Sequence, residues 1–90
     1  MSYRLRYERK AVRQLAKLDP SIRITIRAWI EKNLVGTTEP RQHGKSLKGD
    51  KGEYWRYRVG DYRIIAEIND KELLIILVEV GHRRNIYNRR

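Results

Sequence analysis

"YWRYRVGDYRIIAEI", residues 54–68, alternates large apolar side chains with arginines on either side of a Gly-Asp pair. That is the pattern of two strands joined by a two-residue turn. Glycine at the first central position suits a type II′ turn, and so short a loop leaves a single register. Counting back from it, Val59 faces Tyr62, Arg58 faces Arg63, Tyr57 faces Ile64 and Arg56 faces Ile65. Arg56, Arg58 and Arg63 then share one exposed surface. Trp55, Tyr57, Val59, Tyr62 and Ile64 form the opposite surface, suited to packing beneath helices.

The flanking chain supplies those helices and the remaining strands. Residues 2–8 alternate, with Tyr3, Leu5 and Tyr7 on one face and Arg4 and Arg6 on the other, as in a half-buried strand. Over residues 9–18, Ala11, Val12, Leu15 and Leu18 follow helical spacing until Asp19-Pro20 stops the helix. The same pair opens a second helix, with Asp19 as N-cap, Pro20 at the first turn, and Ile22, Ile26, Trp29, Ile30 and Leu34 along one face. "SIRITIR" at 21–27 also alternates and is rich in β-branched residues, so a strand competes for that segment. Residues 36–52 contain four glycines and Pro40 without a period, and read as one long loop carrying Lys45, Lys48 and Lys51. The "GKS" within it lacks the earlier glycine of a P-loop, Glu39 standing there, and no strand precedes it, which excludes that mode of nucleotide binding.

Strands are expected over 53–59, 62–68 and 72–80, the last ("LLIILV") apolar on both faces and therefore central in the sheet. The expected class is α+β: a single domain over 1–90, ordered β-α-α-β-β-β. It has a mostly antiparallel four-stranded sheet packed on two helices, and a short basic C-terminal segment.

Composition narrows the partners. Twenty-one Lys and Arg against eleven Asp and Glu leave a net charge of +10 on 90 residues, a field that favours polyanions. The plainer alternative is a solvated cationic surface. No cysteine is present, which excludes a disulfide frame, a thiolate metal site and a thiol nucleophile. With no long apolar run and no basic-then-apolar N-terminal pattern, a cytoplasmic protein is expected.

The opposed pair Arg58 and Arg63 raises an energetic question. Like charges opposed on a sheet, with Cβ atoms about 4.5–5.5 Å apart, cost up to roughly 1 kcal/mol. An anion across them reverses that sign, because guanidinium forks match phosphate oxygens. Neutralisation by carboxylates is the alternative, and Glu67 is the nearby acid on that face. The tail "GHRRNIYNRR", 81–90, places Arg83 and Tyr87 four apart, an arginine beside a ring able to stack on an unpaired base.

"KSLKG" (45–49), the hairpin 54–68, the apolar last strand and "GHRRNIY" (81–87) together resemble the RelE toxins of the RelE/ParE toxin-antitoxin superfamily over nearly the whole chain. The resemblance implies a ribosome-dependent endoribonuclease that cuts mRNA in the A site without metal or other cofactor. The ribose 2′-hydroxyl is its nucleophile, and an acidic antitoxin is its partner. It also implies a catalytic set of Arg56, Arg58, Arg63, Arg83 and Tyr87. In that set Arg63 meets transition-state charge, Arg83 the leaving group or phosphate, and Tyr87 stacks on a base. Lys45, Lys48, Lys51, Arg84, Arg89 and Arg90 are expected to bind RNA and the ribosome. Some RelE proteins carry lysines where Arg56 and Arg58 stand. Arginine is a poor general base, so either His82, Glu67, Tyr87 or a loop lysine moves protons, or the geometry of the ribosome provides most of the activation. For His82 a hydrogen-bonded histidine at a strand end is the simpler reading. The competing functions are a ParE-like inhibitor of DNA gyrase, on the same fold, and a non-catalytic nucleic-acid-binding module.

Overall fold

The computed structural model describes residues 1–49 and 52–82. In chain order the elements are β1 (Arg4–Tyr7), α1 (Arg9–Ala16), α2 (Pro20–Asn33), β2 (Lys45–Gly49), β3 (Gly52–Val59), β4 (Tyr62–Asn69) and β5 (Leu74–His82). The five strands form one sheet in the order β1-β5-β4-β3-β2. β1 runs parallel to β5, and the other three pairings are antiparallel.

The hairpin has the register that its turn dictates. Val59 pairs with Tyr62, Arg58 with Arg63, Tyr57 with Ile64 and Arg56 with Ile65. Gly60 has φ +60° and Asp61 is not among the residues of positive φ, which makes the turn type II′. One face of the sheet takes both helices. Ala11 and Leu15 of α1, and Ile26 and Ile30 of α2, are buried against Tyr57, Ile64, Ala66, Ile75, Leu77 and Val80, with Leu34 closing the end. Segment 21–27 is helical, not extended: Pro20 starts the helix and Ile24 is left 65% exposed, whereas Ile26, Ile30 and Leu34 are sealed. Val12 departs from the expected apolar face and is 51% exposed, because Ala11 and Leu15, one turn apart, already meet the sheet.

β5 is an inner strand, between β1 and β4, one place from the centre of the sheet, which is β4. Leu77 and Val80 are both buried in the core although three residues apart, which a strand of period two forbids. A bulge resolves the conflict: Ala66 pairs with Leu77 and Ile65 with Glu79, leaving Val78 as the extra residue. Beyond the end of β1 the edge of β5 is covered by α1, where Gln14 Oε1 accepts the Val80 N–H at 2.7 Å.

The segment 36–52 is not a single loop. Lys45–Gly49 is an edge strand, so the sheet has five strands and not four. "KSLKG" has one apolar residue and no alternation, since an edge strand with one partner is held by its backbone ladder more than by burial. Lys45 pairs with Arg56, Ser46 with Trp55, Leu47 with Tyr54 and Lys48 with Glu53. No described helix is long and apolar enough to cross a membrane.

Candidate functional site

The sheet face turned away from the helices carries the cations. Across β2, β3, β4 and β5, Lys45, Arg56, Ile65 and Glu79 stand in one row, while Arg58, Arg63 and Gly81 make the next. Lys45, Arg56, Arg58 and Arg63 line one cleft of about 240 Å³, with Gly44 at its margin. Four of the predicted residues are therefore brought together. Lys48 lies further along β2. Lys51, Arg83, Arg84, Tyr87, Arg89 and Arg90 lie outside the described residues. β5 ends beside the hairpin, with Gly81 opposite Arg63 and His82 opposite Tyr62.

The three arginines differ in exposure. Arg58 is open to solvent, Arg56 is half-buried and Arg63 is only 5% exposed. The expectation that all three lie on an exposed surface is corrected for Arg63, which shares the face but sits buried on an inner strand with neighbours on both sides. One of its guanidinium nitrogens donates to the Tyr62 carbonyl oxygen at 3.4 Å. A charge so placed acts through less water, so its interaction with a bound anion is stronger than at an open surface.

The acids differ from expectation as well. Glu67 is exposed and does not line the cleft. Glu79, which the strand pattern did not single out, stands beside Ile65 on the arginine face because of the bulge, and Lys10 of α1 holds it at 3.5 Å. His82 is on the other side: opposite Tyr62, it meets that ring edge-on with centroids 5.4 Å apart, away from the arginines.

The segment before β2 is tied to the sheet at three points. The Tyr57 hydroxyl, kept neutral by burial that raises its pKa, donates to the Pro40 carbonyl oxygen at 2.6 Å. Trp55 Nε1 donates to the His43 carbonyl oxygen at 2.6 Å. Arg41 forms a two-pronged pair with Asp70 at 3.0 and 3.1 Å, and its guanidinium carbon lies 5.9 Å from the Trp55 ring centroid. Sequence reading missed this clamp because its members are up to 29 residues apart in the chain.

Arg41, and then the Tyr3 hydroxyl donating at 2.7 Å, hold the Asp70 carboxyl below the usual carboxylate range. A carboxyl lowered on folding adds stability above its unfolded pKa, and that stability fades as pH falls through the folded value. Asp70→Asn should therefore melt below the wild type near neutrality, by roughly 0.2–1 kcal/mol as for other exposed pairs. The difference should begin to narrow as the pH falls below about 4 and close once the pH is below the lowered folded value. Melting curves across that range check it, and a gap that persists in strong acid would assign the loss to something other than the carboxylate.

Residues 5–87 match the family described as the ParE toxin of the type II toxin-antitoxin system parDE. Toxin RelG of Mycobacterium tuberculosis (strain ATCC 25618 / H37Rv) is 32% identical over 89 residues, covering 99% of this chain and all of RelG. Among solved structures, the RelBE2 toxin-antitoxin complex of M. tuberculosis superposes with a TM-score of 0.77 at 28% identity, covering 92% of this chain and 100% of that one. The archaeal RelE-RelB complex of Pyrococcus horikoshii OT3 gives 0.64 at 26% identity, covering 92% and 97%. The isolated E. coli RelE toxin shares the fold, with a TM-score of 0.71 at 19% identity over 90% of this chain and 84% of that one.

Proposed function

Because the chain belongs to the ParE toxin family of type II toxin-antitoxin systems, we propose that it is an mRNA-cutting toxin acting in the ribosomal A site. The observation that carries this reading is the cleft where Lys45, Arg56, Arg58 and Arg63 converge. Three of these side chains cannot lose their charge near neutrality. They suit a reaction in which negative charge grows on phosphoryl oxygens and the substrate brings its own nucleophile.

In that reaction the 2′-hydroxyl attacks the adjacent phosphate and leaves a 2′,3′-cyclic end. The protein must hold the 2′-oxygen in line with the departing 5′-oxygen, a task of positioning more than of nucleophilicity. Arg63, sunk in the sheet, is suited to the charge of the transition state, and Arg56 and Arg58 to the phosphates of the incoming strand. Arg83 and Tyr87, from the segment that follows β5, are assigned to the leaving group and to stacking on a base. Lys48, Lys51, Arg84, Arg89 and Arg90 are assigned to contacts with ribosomal RNA. The site of action is the cytoplasm, where ribosomes are.

An acidic antitoxin is the expected protein partner. A net charge of +10 favours it electrostatically, and the M. tuberculosis relative is seen in a toxin-antitoxin complex, the P. horikoshii one in a RelE-RelB complex.

The test is cleavage of a message on programmed ribosomes by the purified protein. Cuts in the A-site codon, with free RNA left nearly intact, are expected. Intact message with DNA gyrase inhibited would instead establish the rival ParE-like activity. Binding to RNA with neither effect would mark a non-catalytic module.

A further inference from the structure

Three of the four cations around the cleft are guanidinium groups, which do not exchange a proton near neutrality. Lys45 is the fourth, and among the described residues lining the cleft it is the one ammonium, a group that gives up a proton to an alkoxide more readily than a guanidinium does. Its position is constructed by the fold. A side chain on Gly44 would collide with the Arg56 carbonyl oxygen and come within 2.8 Å of Trp55 Nε1, so the chain reaches β3 as closely as a backbone can. The indole hydrogen bond to His43 holds it there, and the next residue, Lys45, is placed directly opposite Arg56. Lys45 is exposed to solvent and lines the cleft, so its ammonium is within reach of a substrate there.

We propose that Lys45 is the general acid of this cleft, protonating the departing 5′-oxygen as an RNA phosphodiester is cut. The proposal rests on the ribonuclease reading above. In the step, the bond between the 2′-oxygen and phosphorus forms as that between phosphorus and the 5′-oxygen breaks. The 2′-hydroxyl proton passes to water. The electron pair leaving with the 5′-oxygen takes a proton from Lys45 Nζ, and water returns one to the amine. The products are a 2′,3′-cyclic phosphate and a 5′-hydroxyl, while the arginines offset charge on the non-bridging oxygens and stay protonated throughout. Lysine is protonated at neutral pH, so donation is the role it can take without prior loss of its proton.

A bridging 5′-sulfur at the scissile bond provides the test, because a thiolate departs without being protonated. The full-length protein acts on programmed ribosomes carrying the oxygen or the sulfur message. With oxygen, Lys45→Ala and Lys45→Arg should both fall by a factor of about 10²–10⁴, the usual range for lost acid-base help. With sulfur, both should return to within about tenfold of the wild type. Equal losses on the two messages would overturn the acid and make Lys45 a phosphate contact. So would a Lys45→Arg variant as fast as the wild type on oxygen. A wild-type protein that cuts neither message would instead overturn the ribonuclease reading itself.

Discussion

Replacing Arg63 by alanine is expected to lower cleavage of ribosome-bound message by a factor of about 10²–10³, the typical cost of losing one preorganised charge contact. The size follows from where the side chain sits. Arg63 is 5% exposed, on an inner strand, with Arg58 on one side and Gly81 on the other. A cation held there before the substrate arrives needs little rearrangement when charge builds on the phosphate. Stability should change much less than rate. Alanine removes the repulsion of Arg58, worth up to roughly 1 kcal/mol, while it also gives up the packing of the arginine stem. Arg63→Lys retains the charge but not the two-pronged geometry, and should fall between wild type and alanine. Single-turnover rates beside thermal melts separate the two effects. A collapse in melting temperature with little specific loss of rate would assign Arg63 to the scaffold.

The second large effect is expected at Gly44. Its φ of +86° is strained for any L side chain, and an added Cβ meets the backbone carbonyl of Arg56 and the side-chain indole nitrogen of Trp55. Backbone strain of this kind costs on the order of 1–3 kcal/mol, to which the collision adds. Because the neighbour is a strand and not the end of a flexible side chain, β2 must move away from β3. Gly44→Ala should therefore lower the melting temperature and also weaken the Lys45–Arg56 register on which the cleft depends. The same change at Gly60, where φ is +60° but nothing lies within 4 Å of the added atom, is the control. It should strain the turn without displacing β2. Equal effects at the two glycines would show that conformation alone, not the close approach of two strands, is what Gly44 provides.

Much of this molecule is written in local patterns. The Gly60-Asp61 turn permits one pairing of its flanking strands, so the opposition of Arg58 to Arg63 and the burial of Tyr57 and Ile64 could be counted from the turn. Pro20 and the spacing of Ile22, Ile26, Trp29, Ile30 and Leu34 mark α2, and the run of apolar residues in β5 places it inside the sheet. These features depend on residues within a few positions of one another, where chain geometry leaves few choices.

The cleft itself is assembled differently. That Lys45–Gly49 is a strand, that Lys45 stands against Arg56, that a bulge at Val78 turns Glu79 toward the arginine face and that Arg63 is nearly sealed all arise from contacts between distant segments. The clamp joining Arg41 to Asp70, and the indole of Trp55 bound to the His43 carbonyl, leave no period in the chain and no compositional mark. Local sequence restricts which backbone shapes each segment can take. The meeting of those segments is set by packing and hydrogen bonds that exist only once the sheet has closed, and the proton donor we assign belongs to that second kind.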